Sequence, residues 1–220
     1  MKRLLSRIFH QISSRQLLAN LYRKLVIEWF TLFQGNIILW IYTFVYPNIK
    51  LGQGINCWGR VIIRLNDSSK LTIGENAHIV SDSIRAGITL FSQVKITAFF
   101  DSKISIGNNV GLNGTTISCR TTHINIDDGT MIAPNVIIVD SDFHSLWPAE
   151  ERMWNPGFEN DRGVNIGKNV WIGINCIVLK GVTIGDNSVI GAGSIVNRDI
   201  PANTMAAGNP AVVIKNLTDD

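Results

Sequence analysis

The sequence predicts a repetitive all-β body led by a short helical head, and three observations carry that prediction. Aliphatic residues recur every six positions late in the chain, isoleucine displaces leucine after the first quarter, and the charge balance reverses along the way. Residues 164–199 read as six hexads: VNIGKN, VWIGIN, CIVLKG, VTIGDN, SVIGAG and SIVNRD. Ile166, Ile172, Val178, Ile184, Ile190 and Val196 fall six apart without slippage. Val164, Val170, Cys176, Val182, Ser188 and Ser194 each stand two residues earlier. Within a hexad the two inward positions alternate as in a strand, and the Gly or Asn that follows allows a turn at positive φ. A fixed short period of this kind is the mark of a solenoid, and a β-sandwich has no reason to keep it.

Taken in order, the elements begin with the head. Residues 1–47 hold eight Leu and six Ile, whereas the remainder holds eight Leu and twenty-six Ile, so helix formers give way to strand formers near Pro47. Lys2, Arg3, Arg7, Arg15, Arg23 and Lys24 precede the first acid, Glu28. Leu4, Leu5, Ile8, Phe9 and Ile12 recur among them at helical spacing, which predicts a basic amphipathic helix. Leu25 to Tyr46 is dense in aromatics, but Glu28, Gln34, Gly35 and Asn36 leave only Ile37–Tyr46 as an unbroken apolar run. About 20 residues are needed to cross a bilayer, so this run is too short. No small-residue cleavage site marks a signal peptide. The head, residues 1–48, therefore reads as an anchor lying on an anionic membrane face, or as helices packed on the body or a sister subunit.

The body is placed at 49–205. Weaker hexads occur at Leu71-Thr72-Ile73-Gly74, Ile104-Ser105-Ile106-Gly107, Ile124-Asn125-Ile126 and Val136-Ile137-Ile138. Three hexads to a coil give about seven coils and a length of roughly 34 Å at ~4.8 Å per strand. One segment, 140–163, abandons the period; it is polar and aromatic, holds Pro148 and Pro156, and carries His144 near its start. Long loops thrown out of regular scaffolds are usually functional. Residues 206–220 form the C-terminal tail.

Composition excludes several classes. With 45% hydrophobic and 17% charged residues, the 220-residue chain is no disordered protein. A net charge of +3 is too small to argue for nucleic acid. Cys57, Cys119 and Cys176 are odd in number and widely spaced, which implies neither a disulfide framework nor a zinc site and suits a reducing compartment.

The motifs together resemble the hexapeptide-repeat acyltransferases, the left-handed parallel β-helix family, and within it the maltose/galactoside acetyltransferase-like branch with its bacterial surface-polysaccharide O-acetyltransferases. The resemblance spans about residues 70–217. It rests on the hexads, Asp142-Phe143-His144, Asn169-Val170-Trp171-Ile172-Gly173, Val189-Ile190-Gly191-Ala192-Gly193-Ser194, Ile200-Pro201 and Ala206-Ala207-Gly208-Asn209-Pro210-Ala211. It implies a homotrimer with sites between subunits, acetyl-CoA as co-substrate with no metal, and a sugar or glycan acceptor. His144 would be the general base on the acceptor hydroxyl, which attacks the thioester directly without a nucleophilic cysteine. Asn113 would bind the acceptor, and Asp142 would either orient the imidazole or bind sugar. Trp171, Gly173, Ala192, Asn197, Arg198 and Lys215 match cofactor-binding positions.

Two departures stand out: Ile174 fills a position that is usually small, and Val212 one that is often basic. The runner-up activity is N-acetylation of an amino-sugar nucleotide. A non-catalytic scaffold needs none of the accessory motifs. A γ-class carbonic anhydrase needs three zinc histidines at a spacing that His78, His123 and His144 do not have. Location is expected in the cytoplasm, peripheral on the inner face of the cell membrane.

Overall fold

The computed structural model describes residues 14–219. The amphipathic pattern expected from Leu4 to Ile12 lies outside them. Helix α1 (Ser14–Tyr22) runs through a π-helical turn (Arg23–Glu28) into α2 (Trp29–Val45). Among the described residues no helix is long and apolar enough to cross a membrane. The polar break expected at Gln34-Gly35-Asn36 does not interrupt α2. Thr31, Gly35 and Leu39, spaced four apart, form its buried stripe. A Cβ on Gly35 would lie 2.1 Å from the Cys57 carbonyl oxygen, so the backbones approach as only glycine permits. Beside it, Asn36 Oδ1 accepts the Cys57 N–H at 3.0 Å, and the Thr31 carbonyl accepts the Gly59 N–H at 3.0 Å. Two of the residues that interrupt the apolar run, Gly35 and Asn36, are therefore among those that dock the helix on the body.

The body is the expected left-handed parallel β-helix. The first coil comprises β1 (Ile49–Leu51), β2 (Asn56–Trp58) and β3 (Ile62–Leu65), and the second β4 (Lys70–Ile73), β5 (His78–Val80) and β6 (Lys95–Ala98). The third has β7 (Lys103–Ile106), β8 (Gly111–Asn113) and β9 (Thr116–Cys119), and the fourth β10 (His123–Ile126), β11 (Met131–Ile132) and β12 (Ile137–Val139). The fifth has β13 (Val164–Ile166), β14 (Trp171–Ile172) and β15 (Ile177–Val178), and the sixth β16 (Thr183–Ile184), β17 (Val189–Ile190) and β18 (Ile195–Val196). A seventh, partial coil follows through the Ile200 bridge to Ile184 and β19 (Thr204–Gly208). With a last strand, β20 (Ala211–Asn216), corresponding strands stack into three sheets, in the orders β1-β4-β7-β10-β13-β16, β2-β5-β8-β11-β14-β17-β19-β20 and β3-β6-β9-β12-β15-β18.

Register makes the core a set of columns. Leu51, Ile73, Ile106, Ile126, Ile166 and Ile184 lie one above another on the first sheet. All the inward positions of the six hexads are buried. Burying each such aliphatic is worth about 1.5–3 kcal/mol. The corner between the first and second sheets takes positive φ at Asn76, Asn109, Asn169, Asn187 and Asn203. Their amides also bond coil to coil, Asn169 to Asn187 at 3.2 Å and Asn187 to Asn203 at 2.9 Å.

Two findings alter the expected organisation. A second excursion, residues 81–93, separates β5 from β6, so 140–163 is not the only break in the period. Beyond residue 205 the chain is no plain tail: β19 turns into β20 (Ala211–Asn216), which pairs antiparallel and extends the second sheet.

Candidate active site

The excursion at 140–163 leaves β12 on the third sheet and returns as β13 on the first. Its base is built on buried polar groups. Asp140, fully buried, accepts the N–H groups of Arg120 (2.7 Å), Thr121 (3.2 Å) and Thr122 (3.1 Å) and the Thr122 hydroxyl (2.9 Å), closing the corner of the coil before it. The Arg120 guanidinium donates twice to Asp161, at 2.9 and 2.8 Å, and the Thr121 hydroxyl donates once, at 2.6 Å. Burial alone would raise the Asp161 carboxyl, but hydrogen bonds from Arg120, Ser141 and Thr121 outweigh it and hold the group below its usual range. The rings of Phe143 and Phe158 flank the guanidinium at 5.7 and 4.7 Å. Both ends of the loop are thus clamped to one arginine.

Within the loop, the Arg152 guanidinium donates to the Leu146 carbonyl at 3.1 and 3.0 Å, while the Arg152 carbonyl lies 2.7 Å from His144 Nδ1. A carbonyl oxygen only accepts, so Nδ1 carries a proton and the neutral ring keeps its lone pair on Nε2. His144 borders an open cavity of about 570 Å³ with Ala149, Glu150, Arg152, Met153 and Trp154. Asp142 is not the group that orients the imidazole here: it pairs with Lys180, which also donates to the Asn160 carbonyl at 2.9 Å. Sequence reasoning missed Arg120, Arg152, Asp161 and Lys180, since an arginine on a turn or in a loop has no signature of its own.

Asn113 ends β8 on the second sheet. Its amide donates to the Ile132 carbonyl of the next coil at 2.9 Å. Gly114 follows at φ +50, in contact with the second excursion: a Cβ there would lie 3.0 Å from both Leu90 and the Ser92 carbonyl. Asn135 ties that excursion down, accepting the Phe91 N–H at 2.8 Å and donating to the Thr89 carbonyl at 3.2 Å.

Trp171, 52% exposed, stands on the outer face of the second sheet. It is in register with exposed Met131 on one side and Val189 on the other, and the same column continues through Met205 to Lys215. Gly173 follows β14, and exposed Ala192 lies at the corner after β17. Asn197 and Arg198, both exposed, lie instead at the corner after β18, on the same edge of the triangle as the His144 loop. Val212 is exposed, and Ile174 half-buried at the corner after Gly173. His144, Asn197 and Arg198 thus occupy one edge of the solenoid, whereas Trp171, Gly173, Lys215 and Asn113 belong to the sheet across from it. One chain does not bring the two groups together. The other body histidines are also apart, His78 stacked on Trp58 in the second sheet and His123 on β10 of the first.

All three cysteines are buried and free. Burial pushes the Cys57 thiol up to about 12, and burial with the Asp140 charge does the same for Cys119; burial also raises Cys176. Native protein at pH 7.5 should therefore take up no iodoacetamide in the time that denatured protein takes up three equivalents, read by intact mass.

The coil architecture, the clamped histidine loop and the Trp171 column define a hexapeptide-repeat protein, and a family model described as "Bacterial transferase hexapeptide (six repeats)" matches residues 163–198. The chain thus carries a hexapeptide-repeat domain of this family. It is 36% identical over 148 residues to galactoside O-acetyltransferase of Escherichia coli (strain K12), covering 67% of this chain and 64% of that one. Identity to galactoside O-acetyltransferase of Lactococcus lactis is 37% over 155 residues, covering 67% of this chain and 63% of the relative. The chain therefore spans a little under two thirds of these relatives' lengths. Among solved structures, a variant of AntD, an N-acyltransferase from Bacillus cereus in complex with dTDP and coenzyme A, matches with a TM-score of 0.51. That match covers 76% of this chain and 82% of that one at 20% identity, a likeness of fold.

Proposed function

We propose that the protein is an acetyl-CoA-dependent O-acetyltransferase acting on a sugar hydroxyl of a surface polysaccharide or its lipid-linked precursor. The observation that carries this reading is the 2.7 Å contact between His144 Nδ1 and the Arg152 carbonyl, which leaves Nε2 free as a base at the mouth of a cavity. Acetyl-CoA, when bound, supplies an activated acetyl thioester. His144 takes the acceptor hydroxyl proton at Nε2 as the oxygen forms its bond to the thioester carbon, and returns that proton to the departing sulfur as the C–S bond breaks. No enzyme nucleophile is needed, in keeping with three buried thiols. Asn113 would hold the acceptor. The residues present suit the donor: the exposed Met131–Trp171 strip offers apolar contact to its arm, Gly173 and Ala192 offer backbone, and Asn197, Arg198 and Lys215 complement its phosphates.

The separation of His144 from the Trp171 column supports a homotrimer in which the edge of one subunit meets the sheet of the next. The galactoside O-acetyltransferase relatives favour oxygen over nitrogen as the acceptor atom. Thiol release from acetyl-CoA, measured against lipid-linked sugars, free glycosides and amino-sugar nucleotides, tests the reading. Turnover only with an amino-sugar nucleotide would move the function to N-acetylation.

The same proposal places the work on the inner face of the cell membrane. With its Thr31-Gly35-Leu39 stripe on the body, α2 turns Trp29, Phe30, Phe33, Trp40 and Phe44 outward, and Arg15, Arg23 and Lys24 are exposed just before it. Aromatics at headgroup level and cations near an anionic leaflet are the two ingredients of interfacial binding. The full chain should float with vesicles containing anionic lipid and lose binding as salt rises. The Trp29→Ser, Phe33→Ser, Trp40→Ser variant should stay behind. Equal flotation of the two would refute the anchor.

A further inference from the structure

The second excursion builds a groove that the proposed chemistry does not use. Residues 81–93, the turn after β2 and α2 enclose about 360 Å³ lined by Gln34, Arg60, Asp82, Leu90, Ser92 and Gln93, with Ser81, Ser83 and Gly59 completing the wall. Most of the lining is hydrogen-bonding, and donors and acceptors are mixed. The single cation, Arg60, shares the groove with the Asp82 carboxylate, so the site has no net charge to select a phosphate. One aliphatic side chain, Leu90, interrupts the polar surface.

Part of this polarity serves the fold. Ser81 accepts the Val94 N–H at 2.8 Å, Asp82 accepts the Ile84 N–H at 2.8 Å, and Ser92 donates to the Gln93 carbonyl at 3.2 Å. The side chains of Gln34, Arg60, Ser83 and Gln93 make no hydrogen bond to a described residue, although Gln34 and Gln93 are half-buried. Half-buried amides are left without protein partners where a ligand or water completes them.

The groove is also preformed. Arg85 in the excursion lies 4.8 Å above the Trp58 ring and 3.5 Å from Glu28 of the π-helical turn, which pins one side. Asn135 pins the other through Phe91 and Thr89. It closes on the chain beside the proposed acceptor residue, since a Cβ on Gly114, the residue after Asn113, would lie 3.0 Å from both Leu90 and the Ser92 carbonyl.

We infer that this groove is a sugar-binding subsite that holds a neighbouring ring of the acceptor, so that the substrate is an oligosaccharide or polymer in preference to a single sugar. Mixed amide, carboxylate, guanidinium and hydroxyl groups around one small apolar patch match a ring of vicinal hydroxyls with an apolar face. The inference rests on the O-acetyltransferase reading and adds chain-length selectivity to it.

The test compares kcat/KM for transfer to methyl glycosides and to linear tetrasaccharides of galactose, glucose, mannose and N-acetylglucosamine, using the full-length protein. The expected result is a preference of about tenfold or more for at least one tetrasaccharide over its methyl glycoside. That ratio should fall to within about threefold in Gln34→Ala/Gln93→Ala and, independently, in Arg60→Ala. Thermal midpoint and the KM for acetyl-CoA check that the variants are folded. Transfer with no length preference, or a preference untouched by all these substitutions, would overturn the subsite while leaving the acetyltransferase in place. Transfer to none of the eight saccharides, with acetyl-CoA still bound, would overturn both.

Discussion

Replacing His144 by alanine is expected to reduce acetyl transfer by on the order of 10²- to 10⁴-fold while acetyl-CoA affinity changes little. The ring is fixed by one hydrogen bond to the Arg152 carbonyl, at 2.7 Å, and its other nitrogen has no task in holding the loop. His144→Gln can keep a donor near that carbonyl, yet it has no nitrogen lone pair to accept a proton, so it should be as inactive as alanine. Residual activity within threefold of the parent in either variant would make His144 an ordinary loop residue. Shared sites predict a further result: two inactive chains, His144→Ala and Trp171→Glu, should recover activity when co-expressed. Each mixed trimer can then hold at least one interface with both native partners. Failure to complement, with mixed trimers verified by mass, would place each site within one subunit.

Asp161→Asn should destabilise the protein by about 3–5 kcal/mol, because it leaves the Arg120 guanidinium buried without its counter-charge. The side chains of this pair are 7% and 1% exposed, and two parallel hydrogen bonds join them. The same contact gives stability a direction with pH. The Asp161 carboxyl sits below its usual value in the folded state, so its contribution is complete above the unfolded pKa of about 3.9. It is lost as pH falls through the lower folded value. Denaturant unfolding at pH 7 and at pH 3 should show the parent losing stability on acidification by more than the variant does. Parallel losses would mean that Arg120 finds another partner. Activity should fall with stability, since the arginine clamps both ends of the His144 loop.

What the sequence disclosed, and what it hid, follows from the range of the interactions. Hexad positions answer only to the coil above and below, so Ile166 to Val196 could be assigned inward from spacing alone. His144 stood out because it opened a break in that spacing. The 81–93 excursion escaped notice because the weaker early hexads, such as those at Leu71–Gly74 and Ile104–Gly107, were already irregularly spaced. The partners of Asp142 and His144 were equally hidden. Lys180 lies 38 residues from Asp142 along the chain, and only stacking of the coils unites them. Arg152 holds the imidazole through its backbone carbonyl, a group every residue has. In α2, Gly35 and Asn36 read only as interruptions of an apolar run until the strand they dock against is seen.

That docking also keeps such a solenoid from stacking end to end. A parallel coil stack ends in strands whose peptide groups face outward, ready to recruit another copy and grow into a fibre. At the first coil, Asn36 and Thr31 occupy the outward N–H groups of Cys57 and Gly59. At the far end of the second sheet, β20 runs against the direction of every strand before it, so it offers the wrong polarity to an incoming β2. The head and the terminal hairpin are thus stoppers against head-to-tail polymerisation. Removal of residues 1–46 should open the first coil to self-association.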